Sequence, residues 1–262
     1  MEKKIRVSMT SWQPRIKNVK AVIESILNQT VMPDSVELNL AKPNFVEIDE
    51  NGEEKINLPT DLVDFIDKHD NVNLNWTDKD TKTFKKLIPT LQKYYGEDYY
   101  VLTIDDDMLY KRNYIEKMLN WIKDKKSDSF CICHYNINGG RMIYESTAFQ
   151  SDYWENIPDE IIQRGINDYY IQLYLEKHGK KMAHLNKDDT SLFTVYNEVK
   201  PLHDIYNKGN YVSVTYNIIR RHFNKNALPI NRTYDYSMNN INKDTKFTKK
   251  MLQLNIIRKR KR

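Results

Sequence analysis

With 262 residues, a net charge of +5 and 40% apolar side chains, the chain can build one large domain with a short appendage, which excludes the disordered and low-complexity classes. Seven glycines and eight prolines exclude collagen-like and linker-rich designs, and two cysteines, Cys131 and Cys133, cannot build a disulfide framework. The charge is uneven: Arg220 to Arg262 hold 13 Lys/Arg against Asp235 and Asp244, so a mildly acidic body precedes a basic tail, unlike a uniformly basic nucleic-acid binder.

Lys4 to Met9 alternates polar and apolar residues and predicts a strand. The turn-forming stretch Thr10 to Arg15 follows, and Val19, Val22, Ile23, Ile26 and Leu27 then recur at helical spacing to about Gln29. Ser35 to Leu40 alternates again, so the chain opens as a βαβ unit and predicts a parallel sheet covered by helices. A short helix starts near Pro59, and a third strand spans Val72 to Trp76. Phe84, Leu87, Ile88, Leu91, Tyr94 and Tyr95 form a helical stripe in which Pro89 marks a kink or a late start.

Tyr99 to Ile104 is apolar along nearly its whole length, as in a central strand covered on both faces. A helix near Tyr114 to Ile122 and a strand near Ser129 to Tyr135 come next. In that strand Cys131 and Cys133 share one face and read as small buried residues; a zinc site would need a second ligand pair. No segment approaches the roughly 18 apolar residues of a membrane span, and Met1 to Ile5 shows no signal-peptide core. The expectation is a cytoplasmic protein, with attachment to the inner face of the plasma membrane as a role open to the tail.

The central strand ends directly in Asp105, Asp106 and Asp107. Open α/β sheets place ligands at the carboxyl ends of their strands, and carboxylates there suit Mg²⁺ or Mn²⁺ shared with phosphates. The plainer reading is a solvated turn, in which Asp is common.

The surroundings of the triplet carry a resemblance. Thr103-Ile104-Asp105-Asp106-Asp107-Met108-Leu109-Tyr110 resembles the DxD element of GT-A glycosyltransferases of the bacterial family 2-like group. Val7 to Ile16 resembles that group's first-strand nucleotide loop. Ser25-Ile26-Leu27-Asn28-Gln29 and Lys85-Lys86-Leu87 match two of its helix segments, in the family's order, over about residues 4 to 208. The resemblance implies a GT-A-like α/β fold, an open, mixed, mainly parallel sheet flanked by helices (the nucleotide-diphospho-sugar transferase fold), over 1–210. Residues 211–262 form a basic extension. It also implies an inverting, metal-dependent transfer from a UDP-linked sugar donor to a glycan or lipid-linked glycan hydroxyl in surface polysaccharide synthesis.

Carried over position by position, the resemblance puts Thr10, Ser11 and Arg15 against the nucleotide. Lys85 or Lys86 approaches its base or phosphates, with a solvated helix face as the plainer role for one of the two. Asp105 lies near the ribose or the metal, and Asp107 binds the Mn²⁺ or Mg²⁺ that bridges the diphosphate. Asp106 is counted with the donor-binding residues, although successive residues leaving a strand diverge. His203 is a further candidate metal ligand, with a surface histidine as the plainer reading.

Displacement at the sugar also needs a base for the acceptor hydroxyl. The family carries an acidic pair at a helix start; here Asn167-Asp168 leaves Asp168 as the candidate, against the alternative of a helix cap or first-turn charge. Tyr144, Tyr153 and Trp154 could stack on a sugar or be core. The family's Gly-rich acceptor element is replaced by Gly139 to Tyr144.

The tail, with Phe247, Met251, Leu252, Leu254, Ile256 and Ile257 among lysines, reads either as a segment for an anionic membrane surface or as a solubilising tail. No nucleic-acid-binding pattern occurs. Two other functions stay open: a sugar-nucleotide nucleotidyltransferase, disfavoured because Thr10 to Arg15 contains no glycine, and a non-catalytic glycan- or nucleic-acid-binding module.

Overall fold

A computed structural model describes residues 3–124, 129–133, 141–184, 193–195 and 211–224. His203, Asp204 and the tail from 225 onward lie outside the described residues.

The expected βαβ opening is present. β1 (Lys4–Thr10) runs through a 3₁₀ turn (Gln13–Asn18) into α1 (Val19–Leu27), and β2 (Ser35–Ala41) returns parallel to β1. A short helix α2 (Lys42–Phe45) and a hairpin of β3 (Val46–Ile48) and β4 (Glu54–Ile56) precede α3 (Thr60–Asp67) and β5 (Val72–Thr77). The single stripe read from Phe84 to Tyr95 is two pieces: a 3₁₀ turn (Lys82–Lys86), then α4 (Ile88–Lys93) with Pro89 in its first turn. Proline lacks the N–H that a helix interior needs, so the α-helix starts at it rather than running through it.

β6 (Tyr99–Ile104) and β7 (Met108–Tyr110) flank the aspartate triplet. Then come α5 (Tyr114–Asp124), β8 (Ser129–Cys133), β9 (Arg141–Glu145), α6 (Asp152–Glu155), α7 (Asp159–Arg164), α8 (Asn167–Lys177), β10 (Lys181–His184), β11 (Phe193–Val195) and α9 (Tyr211–Phe223). Among the described residues the main sheet has seven strands in the order β10-β8-β9-β6-β1-β2-β5. It is mixed and mainly parallel: β9 is antiparallel to both of its neighbours, while β6, β1, β2 and β5 run parallel. Among the described residues no helix is long and apolar enough to cross a membrane.

The two faces of the sheet differ chemically. Val7, Met9, Val36, Leu38 and Leu40 pack against Val22, Ile23 and Ile26 of α1 and Ile115 and Met118 of α5. On the other face, Tyr99, Val101, Met142 and Tyr144 meet Phe149, Tyr153, Tyr170 and Leu175. Helix α9 belongs to this second core. Ile219 is fully buried there, Arg164 donates to Thr215 Oγ1 at 3.2 Å, and the rings of Phe223 and Tyr170 lie 4.9 Å apart.

Beneath β1, β2 and β5 the second face is polar and still buried: Ser8, Glu37 and Asn39 each show 0% exposure. Their hydrogen bonds are satisfied among themselves, as buried polar groups require. Asn39 donates to Ser8 Oγ and Thr90 Oγ1, both at 3.1 Å, and Asn75 donates to Asn39 Oδ1 at 3.1 Å. Glu37 accepts from Asn73, Asn75, Lys93 and Tyr94 at 2.8–3.0 Å. Burial alone would raise the Glu37 carboxyl; the donors from Asn75, Ser35, Lys93 and Tyr94 outweigh it and hold it below its ordinary value.

Glu37→Leu is therefore expected to cost on the order of 3 kcal/mol in urea unfolding. It strands several donors, but Lys93 is partly exposed and loses less. The same carboxylate gives a pH signature with a defined sign. Its contribution is complete above the ordinary glutamate value of 4.5 and disappears as the pH falls through its lower folded value. Glu37→Gln should flatten that acid limb.

Candidate active site

The aspartates leave β6 at the carboxyl edge of the sheet, where β1 also ends. The segment after them is fastened to the end of α1. Ser25 Oγ accepts from the Tyr110 N–H at 3.1 Å; Gln29 donates to the Lys111 carbonyl at 2.9 Å and accepts from the Ile115 N–H at 3.0 Å. This is the physical content of Ser25-Ile26-Leu27-Asn28-Gln29: Ser25 and Gln29 hold the chain that leaves the triplet, while Ile26 is core. The Tyr110 hydroxyl, in turn, accepts from the Asp105 N–H at 2.9 Å.

The loop after β1 meets the triplet through two side chains. Ser11 donates to Asp106 Oδ2 at 2.7 Å, and Arg15 Nη1 lies 3.0 Å from both Asp106 Oδ1 and Asp107 Oδ2. Asp106 is turned into the protein and is 7% exposed. It braces the β1 loop against the triplet, and Arg15 bridges it to Asp107. Burial lifts the Asp107 carboxyl to about 6; Asp105 and Asp106 add to the rise, and Arg15 and Lys86 oppose it. Thr10, one residue earlier, spends its hydroxyl on the Asn39 carbonyl at 2.6 Å.

The two lysines part company, and neither is a solvated residue on a helix face: Lys85 is 3% and Lys86 8% exposed. Lys86 comes to the triplet, its Nζ 2.5 Å from Asp105 Oδ1. Its main chain is held because Ser8 Oγ donates to the Lys86 carbonyl at 2.5 Å, and Ser8 is tied to the buried polar ladder through Thr90 and Asn39. Burial would push Lys86 towards neutrality; the charges of Asp105, Asp168 and Asp106 overcome this and keep its ammonium above the ordinary lysine range. Lys85 is instead paired with Asp80, which also accepts from the Lys82 N–H at 3.0 Å. Asp80 is held well below the usual carboxylate range: burial acts the other way, but Lys82 and Lys85 prevail.

Asp168 reaches the same place from a distant part of the sequence. Asn167 Nδ2 donates to the Thr83 carbonyl at 3.3 Å, and Thr83 Oγ1 donates to the Gly165 carbonyl at 2.7 Å. These bonds dock the start of α8 on the 3₁₀ turn that carries Lys86, within electrostatic range of it. Gly165 makes the approach possible by ending α7 in the left-handed conformation, at φ +64°. Ile166, not Asp168, occupies the cap position of α8, so the capping alternative falls and Asp168 is a first-turn acid.

The sugar-stacking alternative for the aromatics is corrected by burial. Tyr144 and Tyr153 are fully buried and have no face to offer a ring. Trp154 stands edge-on to Tyr95, 5.2 Å away, in a cleft of about 150 Å³ beside Tyr99, at the opposite end of β6 from the triplet. Two other acids near α8 are engaged elsewhere. Asp152 accepts from Tyr174 at 2.6 Å beside His178, at the far end of α8, and Asp159 pairs with Lys79 on the surface at 2.5 Å. Sequence reasoning missed Asp80 and the buried ladder; a polar residue at every second position of β2 and β5 was the available signal.

A divalent metal can be weighed against this donor set. Asp105 and Asp107 offer hard carboxylate oxygens, and the raised Asp107 marks a cluster still short of positive charge despite Arg15 and Lys86. That fits Mg²⁺ or Mn²⁺, which retain water and phosphate ligands beside one or two carboxylates. Among the described residues no three acidic, His or Cys side chains converge into a ready metal cage.

The arrangement of strands and helices is a GT-A-like, nucleotide-diphospho-sugar transferase fold. Solved structures of that fold resemble the chain. A crystal structure of S. aureus TarS 1–349 in complex with UDP-GlcNAc matches with a TM-score of 0.54 at 10% identity, over 84% of this chain and 65% of that one. A crystal structure of S. aureus TarS 1–349 matches with a TM-score of 0.52 at 13% identity, over 96% of this chain and 78% of that one. No protein-family model matches the chain, and no curated protein matches it in sequence.

Proposed function

We propose that this chain is an inverting, metal-dependent glycosyltransferase that moves a sugar from a nucleotide diphosphate, UDP-linked, to a glycan hydroxyl. The observation that carries the reading is a convergence. At the carboxyl edge of the sheet the β1 loop residues Ser11 and Arg15 and the distant Lys86 all contact the Asp105–Asp107 triplet, and Asp168 at the start of α8 lies within electrostatic range of Lys86. The TarS fragment that shares the fold binds UDP-GlcNAc, in keeping with a nucleotide-sugar donor here. The acceptor class, a surface polysaccharide or its lipid-linked precursor, rests on the sequence resemblance.

In this reading Asp107 and Asp105 hold a Mg²⁺ or Mn²⁺ ion, which supplies positive charge to the departing diphosphate. Arg15 keeps Asp107 and Asp106 in place for that ligand set, and Ser11 fixes the loop under the nucleotide. Asp168 takes the proton from the acceptor hydroxyl as it attacks the sugar from the face opposite the leaving group.

A panel of nucleotides with and without Mn²⁺ tests this by thermal unfolding. UDP with Mn²⁺, at a hundredfold excess over its Kd, is expected to raise Tm by roughly 5–8 °C, while either component alone does far less. Stabilisation by a nucleoside triphosphate alone would favour a nucleotidyltransferase. Stabilisation by glycans without nucleotide or metal would favour a binding module.

A further inference from the structure

We propose that Lys86 is an internal counter-ion that occupies the cation position at Asp105, and that a divalent metal and a diphosphate bind by displacing it. This rests on the metal and donor reading given above and goes beyond it.

The argument starts from charge and place. Among the described residues the three carboxylates of the triplet contact two cations, Arg15 and Lys86, which leaves the triplet one negative charge before Asp168 is added. Arg15 is shared between Asp106 and Asp107, buried, and fixed by two carboxylates. The Lys86 ammonium lies on Asp105, and its main chain is anchored separately by Ser8, so a change in the side chain's direction need not move the backbone. An ammonium 2.5 Å from Asp105 Oδ1 takes up a cation-binding position on a carboxylate that would also serve as a metal ligand.

Exchange of one positive charge for two neutralises the triplet. It also frees a buried ammonium beside the incoming phosphates, which need a cation at that point. Leaving Lys86 in place while a metal arrives would instead crowd two cations onto one carboxylate in a partly buried site, where like charges repel more strongly than in water. The second carboxylate within range of Lys86, Asp168, keeps the displaced ammonium in a negative environment. The device therefore stabilises the empty site and makes metal and diphosphate bind as a pair.

Mn²⁺ titrations followed by electron paramagnetic resonance, on the full chain with and without UDP, test it. Lys86→Met is expected to bind Mn²⁺ about tenfold or more tightly than wild type when UDP is absent, because a competing like charge is gone. In wild type, UDP should tighten Mn²⁺ binding by about tenfold, and in Lys86→Met this coupling should shrink, since coupling between two ligands is reciprocal and here runs through the displaced ammonium. Lys86→Arg, which keeps the charge, should tighten Mn²⁺ binding less than Lys86→Met does, and circular dichroism of both variants ensures that only folded protein is compared. Mn²⁺ affinity in Lys86→Met equal to or weaker than wild type, with UDP-coupled binding intact in wild type, overturns the counter-ion role alone. Absence of Mn²⁺ binding in every variant, with and without UDP, overturns the metal reading and this inference with it.

Discussion

Asp168→Asn is expected to lower sugar transfer by about 10²–10⁴-fold while leaving donor affinity and metal dependence close to wild type. Asparagine keeps the shape and hydrogen-bonding capacity of the side chain but cannot accept the acceptor proton. Its fold effect should be small, because Ile166 holds the cap position, Asn167 and Gly165 dock the start of α8, and asparagine matches aspartate in shape. Single-turnover transfer with saturating donor and acceptor is the measurement. A rate near wild type would remove Asp168 as the base. Asp152 and Asp159, the other acids of this region, are poor replacements, since one is bound to Tyr174 at the far end of α8 and the other to Lys79 at the surface.

Asp107→Asn should abolish metal-dependent donor binding, with Mn²⁺ affinity in the presence of UDP falling by at least about 100-fold. Loss of a ligand exceeds the 10–100-fold expected from loss of a supporting residue. The fold should survive, because the substitution removes one negative charge from a cluster that already holds a surplus, and Arg15 retains Asp106 at 3.0 Å. A melting temperature near that of wild type together with lost UDP–Mn²⁺ stabilisation is the expected pair of results. Unchanged metal-dependent UDP binding would remove Asp107 from the ligand set. Asp106→Asn provides the contrast. Asp106 is a brace between Ser11 and Arg15, so its loss should show as reduced stability as well as weaker binding.

The path from sequence to these residues was uneven for physical reasons. The apolar run Tyr99 to Ile104 announced a central strand, and the triplet at its end announced a charged edge; both are local features that one stretch of chain displays. The polar alternation of β1 and β2 correctly marked strands, but it carried no sign that Ser8, Glu37 and Asn39 are as buried as the valines beside them. Alternation records that successive side chains face opposite ways, not what covers each face. The cover comes from Thr90, Lys93 and Tyr94, some fifty residues away.

The lysine pair shows the same limit. Lys85 and Lys86 are neighbours with the same chemistry, and only the 3₁₀ turn that carries them sends one to Asp80 and the other to Asp105. The aromatics Tyr144, Tyr153 and Trp154 were likewise indistinguishable until burial separated two core rings from one cleft wall.

By itself the sequence determined the βαβ opening, the strands β5, β6 and β8, the helices α1, α3 and α5, the carboxylate edge and the acid at the start of α8, because periodicity and residue chemistry act over a few neighbouring positions; the β3–β4 hairpin, β7, β9 and β11 are too short or too irregular to show it. Only the tertiary structure decided which cation meets which aspartate, that Asp106 faces inward, and that Asp168 comes within electrostatic range of Lys86. Those facts depend on contacts between segments 19 to 95 residues apart, whose partners are selected by packing and charge once the sheet has formed.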